Sequence, residues 1–346
     1  MSLAHRVGRY LHGFRRNPYL DHKRNFHQHL AVLHEAFFAG RMVPPARMWE
    51  ERPCVVCGAA TFEPVFTSSV GFHYVRCLGC RMTVMQPIPS AESLHQLYNS
   101  EEMSVNVSGR PAGVVRPQGQ ADLACVQQFV TTGRLLDIGC GAGGFVMLAG
   151  ATFEAEGLEI NARHAAMGQA QGLRVHEVYS SAFRPPYQYD VVTLLQVIEH
   201  LPHPASVLAD AAALLRPGGL LYVACPNMES WSMRLFGPRH RHVSTFGHLN
   251  MYGPATLRRQ CESAGFRCLD VTTYMLDVEL HDLAYFYGRR SRFSHRFANY
   301  RPGLMRLSDV VSGRVRRRLD ALATRRLQGS YLRAVFQKPV DSVGEP

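Results

Sequence analysis

Between residues 134 and 275 short β-branched runs alternate with stretches whose apolar residues recur at helical spacing. That is the pattern of βαβ units in a parallel sheet. Arg134–Ile138 (RLLDI) predicts a first strand, Gly139-Cys140-Gly141-Ala142-Gly143-Gly144 a glycine-rich turn, and Phe145–Phe153 the helix behind it. Further strands are predicted at Ala155–Ile160, Leu173–Val178, Tyr189–Gln196, Leu220–Ala224 and Phe266–Thr273, with helices at Asn161–Gln171, Ala205–Leu215 and within Gly253–Gly265. Tyr331–Gln337 predicts a closing strand. Upstream, FEPVFTSSVGFHYVRC reads as two short strands about a turn at Gly71. Phe26, Leu30, Leu33 and Phe37 fall at helical spacing before Pro44-Pro45, and Leu304, Leu307, Val311, Val315, Leu319 and Leu322 form a second apolar stripe. The longest strongly apolar blocks, such as Val191–Ile198, are strand-sized and far short of the ~18 residues of a membrane span.

Composition narrows the class. With 46% hydrophobic and 19% charged residues over 346, the chain is globular, and its length is near that of two domains. The first residues, MSLAHRVGRYLHGFRR, are basic and lack an apolar core, so they do not read as a secretory signal. A soluble cytoplasmic protein is expected. The net charge of +11 is concentrated in two arms. Residues 289–326 carry twelve arginines against Asp309 and Asp320, and residues 1–52 carry nine basic against four acidic residues. The body from 53 to 288 has fifteen basic against nineteen acidic residues. A nucleic-acid enzyme spreads positive charge around its catalytic mouth, so this distribution argues against nucleic acid as partner. The arms suit an anionic acceptor or carrier, or peripheral contact with a membrane surface.

Nine cysteines in a chain with no secretory marker argue against a disulfide framework. Four of them fall as Cys54-x2-Cys57 and Cys77-x2-Cys80, nineteen residues apart, the spacing of two knuckles that share one tetrahedral thiolate site. Pro53, Gly58 and Gly79 supply the tight turns such knuckles need. One structural Zn2+ per chain, held by Cys54, Cys57, Cys77 and Cys80, is expected, because four thiolates leave no open coordination position.

A glycine-rich turn after a strand serves several nucleotide cofactors. Here Asp137 stands inside the strand end, where its charge would repel a pyrophosphate but suits a ligand with an ammonium and a sulfonium. Glu159, at the end of the next strand, is placed to accept hydrogen bonds from both hydroxyls of a ribose. LLDIGCGAGGF, then GLEIN, then YDVVTLLQVIEHLPHPASVLADAAALLRPGGLLYVACPN resembles the class I S-adenosylmethionine-dependent methyltransferases. The resemblance implies an α/β fold, a Rossmann-like seven-stranded sheet with an antiparallel last strand. It also implies cofactor contacts from Asp137, Gly139, Cys140, Gly141, Glu159 and the region of Gln196. Val178-Tyr179-Ser180-Ser181 replaces the acidic residue that commonly lies near the adenine, which leaves Tyr179 as the expected contact there.

The knuckles narrow the resemblance to small-molecule methyltransferases that include deoxysugar C-methyltransferases, and Gln86–Ser100 is similar to their connector, a Pro-rich turn and a helix ending in a tyrosine. In those enzymes a histidine after the fifth strand acts as base. Here His248 keeps that position, while Thr245 and Gly247 replace the tyrosine and glutamate beside it. His200, after the fourth strand, is the second candidate base. His240 and His242 are candidates for holding an anionic group. The expected layout is a basic helical arm (1–50), a zinc ribbon (51–90), a cofactor-binding core (91–288), a basic helical insertion (289–330) and the last core strand with a tail (331–346). The expected activity is methyl transfer to a small-molecule or carrier-borne metabolite, at oxygen first and carbon second. The alternatives are a zinc-ribbon RNA methyltransferase and a non-catalytic binding scaffold of the same fold.

Overall fold

The computed structural model describes residues 35, 45–68, 71–100, 117–240, 242–243, 247–274, 318 and 321–340. Apart from residues 35, 318, 321 and 322, the two apolar stripes over Phe26–Phe37 and Leu304–Leu322 lie outside the described residues.

Residues 49–99 build β1 (Trp49–Glu50), β2 (Phe62–Thr67), β3 (His73–Cys77), β4 (Thr83–Met85), β5 (Ile88–Pro89) and α1 (Ala91–Asn99). β2 and β3 pair antiparallel, with Phe62 opposite Cys77 and Thr67 opposite His73, so the hairpin predicted about Gly71 is present. α1 begins at Ser90, whose hydroxyl accepts from the Ser93 N–H and satisfies one open donor of the first turn.

Then come α2 (Pro117–Val126), β6 (Arg134–Ile138), α3 (Gly144–Ala149), β7 (Glu154–Glu159), α4 (Ala162–Gln169), β8 (Val175–Glu177), β9 (Tyr189–Leu195), α5 (Pro204–Leu214) and β10 (Leu215–Pro226). They are followed by α6 (Trp231–Phe236), β11 (Asn250–Met251), α7 (Pro254–Ser263), β12 (Arg267–Tyr274) and β13 (Tyr331–Gln337). The main sheet has the order β12-β13-β10-β9-β6-β7-β8. β10, β9, β6, β7 and β8 run parallel, and β13 is antiparallel to both β10 and β12. This is the mixed seven-stranded Rossmann-like sheet, with an antiparallel strand β13, that the resemblance implied.

The central strands are almost wholly apolar because helices cover both faces. Leu136, Val192, Leu194, Leu221 and Val223 pack on one face with Leu208 and Ala211 of α5 and Leu257 of α7. Leu135, Val191, Tyr222 and Ala224 alternate with them and pack on the other with Leu123 and Val126 of α2 and Phe145 and Ala149 of α3. The fifth predicted strand is longer than expected. β10 already begins at Leu215, and Pro217-Gly218-Gly219 is absorbed as an irregularity between Leu215 and Leu220.

The hairpin does not stand apart from this sheet. β11 leaves the main sheet after β10 and pairs with β4, Asn250 opposite Val84 and Met251 opposite Thr83, completing a four-stranded sheet β11-β4-β3-β2. Met48, Phe72, Tyr74 and Met85 bury together with Leu94 and Leu97 of α1, Met233 of α6, and Val243 and Leu249. Cys54, Cys77 and Val84 belong to the same core as Leu136 and Val192.

Candidate active site

The C-terminal edge of the parallel strands gathers the residues singled out from the sequence. Gly139 has φ +76, and a Cβ there would lie 2.6 Å from Val197 Cγ2, so only glycine fits. The N–H groups of Gly139 and Cys140 both donate to Leu158 O, at 2.8 and 3.0 Å, which locks the turn onto β7. The Gly141 N–H donates to Glu159 Oε2 and the Asn161 N–H to Oε1, each at 2.8 Å. Both oxygens of Glu159, which is 9% exposed, are thereby oriented, and each keeps a lone pair for a further donor such as a ribose hydroxyl.

Asp137 is 3% exposed and accepts from Thr193 Oγ1 at 2.7 Å. Burial pushes its carboxyl up to about 7, against the pull of the Thr193 hydrogen bond and with some push from Glu159 and Asp122. A carboxyl poised there is stabilised as an anion by any cationic group brought against it. Cys140 turns its sulfur away from this edge. Sγ fills the space over Gly157, where a Cβ would lie 2.4 Å from it, so Cys140 can offer a ligand only its backbone. Gln196 closes β9 at φ +60, an uncommon conformation for a non-glycine residue, with its N–H donated to Ala224 O at 2.7 Å. Tyr179 is exposed before the short turn Ser180–Ala182, its hydroxyl 3.4 Å from His95 Nδ1 on α1.

α1 reaches the same edge from the ribbon side. The Tyr98 carbonyl accepts from Asn161 Nδ2 at 2.6 Å. Its own hydroxyl is buried with no hydrogen-bond partner among the described residues, and burial first, then the charges of Glu199 and Glu159, push the phenol well above its ordinary range. This open polar atom beside the Glu159 carboxylate, with the glycine turn, fits an adenosyl ligand.

His200 and His248 come together although 48 positions separate them in the sequence. Their ring centroids are 4.7 Å apart. His200, on the turn Ile198–His200, donates from Nδ1 to Gly247 O at 2.8 Å. His248, two residues before β11, donates from Nδ1 to His242 O at 2.7 Å. A carbonyl can only accept, so in the neutral form of either ring the lone pair falls on Nε2. Burial pushes His200 down to about 4, which keeps it neutral near pH 7. Glu199, with no distinguishing spacing in the sequence, joins them, its Oε1 4.0 Å from His200 Nε2. It is 1% exposed, neither carboxylate oxygen has a hydrogen-bond partner among the described residues, and burial pushes it up to about 8. Its signal was a carboxylate beside a histidine at the end of an apolar strand. His240 and His242 are buried, and they stack on each other at 5.0 Å; His240 Nε2 lies 3.0 Å from Ser232 Oγ.

Two ribbon side chains hold the loops that carry these histidines. Tyr74 donates its hydroxyl to His248 O at 2.9 Å. Arg52 donates to Pro202 O, to Leu249 O at 3.3 Å and to Asn250 Oδ1 at 2.7 Å. Burial lowers the Arg52 guanidinium to about 10. Neither residue was selected from the sequence, because their partners lie 150 to 198 positions away.

The four knuckle cysteines converge. Cys54 Sγ is 3.5 Å from Cys80 Sγ, and Cys57 Sγ is 3.5 Å from Cys77 Sγ. Tetrahedral thiolates at the usual metal–sulfur bond length stand about 3.8 Å apart, so the set fits a closed metal site. The knuckles are built alike: Gly58 N–H donates to Cys54 O and Arg81 N–H to Cys77 O, with Gly58 and Arg81 both at positive φ.

Residues 119–271 match a family model described as a methyltransferase domain. A ubiquinone biosynthesis O-methyltransferase of Aeromonas salmonicida (strain A449) is 33% identical over 155 residues, covering 40% of this chain and 65% of that protein. One of the same description from Burkholderia pseudomallei (strain 1710b) is 29% identical over 154 residues, covering 40% of this chain and 66% of that protein. The chain thus spans less than two thirds of these relatives. Among solved structures, phosphoethanolamine N-methyltransferase 2 of Haemonchus contortus with S-adenosyl-L-methionine is 16% identical at a TM-score of 0.46, covering 74% of this chain and 63% of that one. No described helix is long and apolar enough to cross a membrane.

Proposed function

With the methyltransferase domain of residues 119–271 as premise, we propose that this protein transfers the methyl group of S-adenosylmethionine to an oxygen of a small-molecule or carrier-borne acceptor. The observation that carries the reading is the pairing of two sites on one sheet edge. Asp137, the Gly139–Gly141 turn and the doubly anchored Glu159 form a cradle for the adenosyl and methionyl groups. The Glu199–His200–His248 cluster lies beside it, with Tyr98 between the two carboxylates.

The bound cofactor supplies an electrophilic methyl; the chain's residues position the acceptor and remove its proton. His248 is the proposed proton acceptor, through Nε2, with Nδ1 anchored on His242 O to fix the tautomer. His200 Nε2 shares the same space and orients the acceptor. Cys54, Cys57, Cys77 and Cys80 are proposed to hold one zinc ion in a structural role, because their closed thiolate set leaves no position for a substrate.

The test has two stages. Calorimetry on the full chain should record S-adenosylmethionine binding that is lost in Gly141→Arg and weakened in Glu159→Ala. A labelled-methyl assay against cell extract split into small-molecule, lipid, protein and RNA fractions should then label the small-molecule or lipid fraction. Absence of cofactor binding, or label confined to RNA, would discard the reading.

A further inference from the structure

Arg52 is the most deeply buried arginine or lysine among the described residues, 7% exposed, and among them no carboxylate forms an ion pair with it. A buried cation is costly unless an opposite charge stands near it. Nη1 donates to Pro202 O, and Nη2 to Leu249 O at 3.3 Å and to Asn250 Oδ1 at 2.7 Å. Nε is buried with no hydrogen-bond partner among the described residues. These neutral oxygens satisfy donors but leave the charge uncompensated. The groups whose charge can act on the guanidinium are Tyr252, Cys54 and Glu50. Burial holds the proton on the Tyr252 phenol, and Glu50 is exposed to water, which screens it. That leaves Cys54, one of four cysteines whose sulfurs converge as a closed metal site requires.

We propose that Arg52 is the counter-charge of the ribbon's four-thiolate metal centre and, through its fork, the positioning residue that ties that centre to the histidine loops. Four thiolates around one Zn2+ carry a formal charge of minus two, and the N–H groups of the knuckles answer it with partial charges only. A guanidinium beside Cys54 supplies a full one. The other end of the fork acts on the turn that carries His200. Arg52 orients the Asn250 side chain, whose Nδ2 donates to Ile198 O at 3.2 Å and to Leu201 O at 2.7 Å. The Leu249 N–H donates to Glu199 O at 2.8 Å. The carbonyls of Ile198, Glu199, Leu201 and Pro202 are thus held by Arg52 itself or by the two residues it grips. Leu249 directly follows His248, so one guanidinium sets the loops of both histidines. The inference rests on zinc in the ribbon and on methyl transfer at these loops. Arg52 touches no reacting atom.

Charge and fork can be separated by substitution. Lysine keeps the charge, but its single ammonium cannot span Pro202, Leu249 and Asn250 together; glutamine lacks the charge and the fork. Zinc affinity is read on the full chain by competition with a chromogenic chelator, and kcat by labelled-methyl transfer to the extract fraction that the native protein labels. Arg52→Gln should bind zinc at least about tenfold more weakly, the usual effect of removing an outer partner of a metal centre. Arg52→Lys should bind it as the native protein does. Both should lose at least about tenfold in kcat, with the acceptor's KM changed less. A residue that only fills space would leave zinc affinity unchanged in both variants or lower it equally in both. Either result overturns the proposal, as does native kcat in Arg52→Lys. Cofactor calorimetry checks that the sheet edge is intact. If both variants lose the cofactor too, Asn250→Ser decides, because it keeps the charge and removes the fork's side-chain acceptor. Native zinc affinity with reduced kcat there supports the proposal, and weakened zinc or native kcat overturns it. Native protein that holds no zinc overturns it at once. Native protein that holds zinc but transfers no methyl group removes the methyl-transfer reading alone, and the zinc comparison between Arg52→Gln and Arg52→Lys then supports or overturns the counter-charge by itself.

Discussion

At the scale of single residues, the most informative group is Asp137, because its protonation is set by the fold and should be reset by the ligand. Its folded-state value near 7 lies above that of an ordinary carboxyl, with burial as the main cause. Without ligand, the proton is therefore held more tightly folded than unfolded. That contribution to stability is complete below the ordinary carboxyl range and disappears as pH rises towards 7. A bound ammonium or sulfonium favours the anion, so cofactor binding near pH 6 should release close to one proton, falling towards none above pH 8. Calorimetry in two buffers of different ionisation enthalpy reads that number directly, and Asp137→Asn should abolish it. Proton release unchanged in Asp137→Asn would assign it to another group. Glu159 should behave differently: two backbone N–H groups already orient its carboxylate. Glu159→Gln should weaken cofactor affinity at least about tenfold, since a charge-assisted acceptor is worth roughly 1.5–3 kcal/mol.

At the scale of elements, the ribbon is tied to the histidine loops more closely than a separate module would be. β11 belongs to the ribbon's sheet and lies two residues after His248, Tyr74 bonds the His248 carbonyl, and Arg52 spans the loops after β9 and β10. Small ribbons with a four-thiolate site draw much of their folding energy from the metal, which is the premise of the zinc proposed here. Cys54→Ser and Cys80→Ser should therefore lose about one zinc per chain by elemental analysis and keep S-adenosylmethionine binding, because Asp137 and Glu159 are set by β6 and β7. Methyl transfer should fall. Full turnover in zinc-free protein would reduce the ribbon to a remote stabiliser. The sequence made parts of this legible and concealed others for physical reasons. The central strands could be read because burial on both faces forces continuous apolar runs, and the knuckles because metal geometry fixes cysteine spacing. The pairing of Asn250 with Val84 has no local signature: two residues of strand carry no periodicity. Tyr98 was visible only as the end of a helix, and the isolation of Glu199 emerges only when three loops converge.

At the scale of the whole molecule, the sheet is closed by a strand that arrives last, and one buried ion pair secures it. Arg333 of β13 donates from Nε to Asp122 Oδ1 of α2 at 2.7 Å across 211 positions. The Tyr222 hydroxyl of β10 donates to the same oxygen at 2.8 Å, and the guanidinium lies 3.5 Å above the Tyr274 ring of β12. Side chains 11% and 7% exposed place the pair among buried ones, where removing one partner strands the other's charge. Asp122→Ala should lower stability by about 3–5 kcal/mol. In urea this should move the midpoint of unfolding and leave the slope unchanged, since the same surface is exposed. Asp122→Leu combined with Arg333→Met should recover most of the loss, because two apolar side chains leave no charge to desolvate. The recovery distinguishes a stranded charge from a simple packing defect, which the double change would deepen. A single substitution costing under about 1 kcal/mol would place the pair with exposed ones and show that β13 is held by its ladders to β10 and β12 alone.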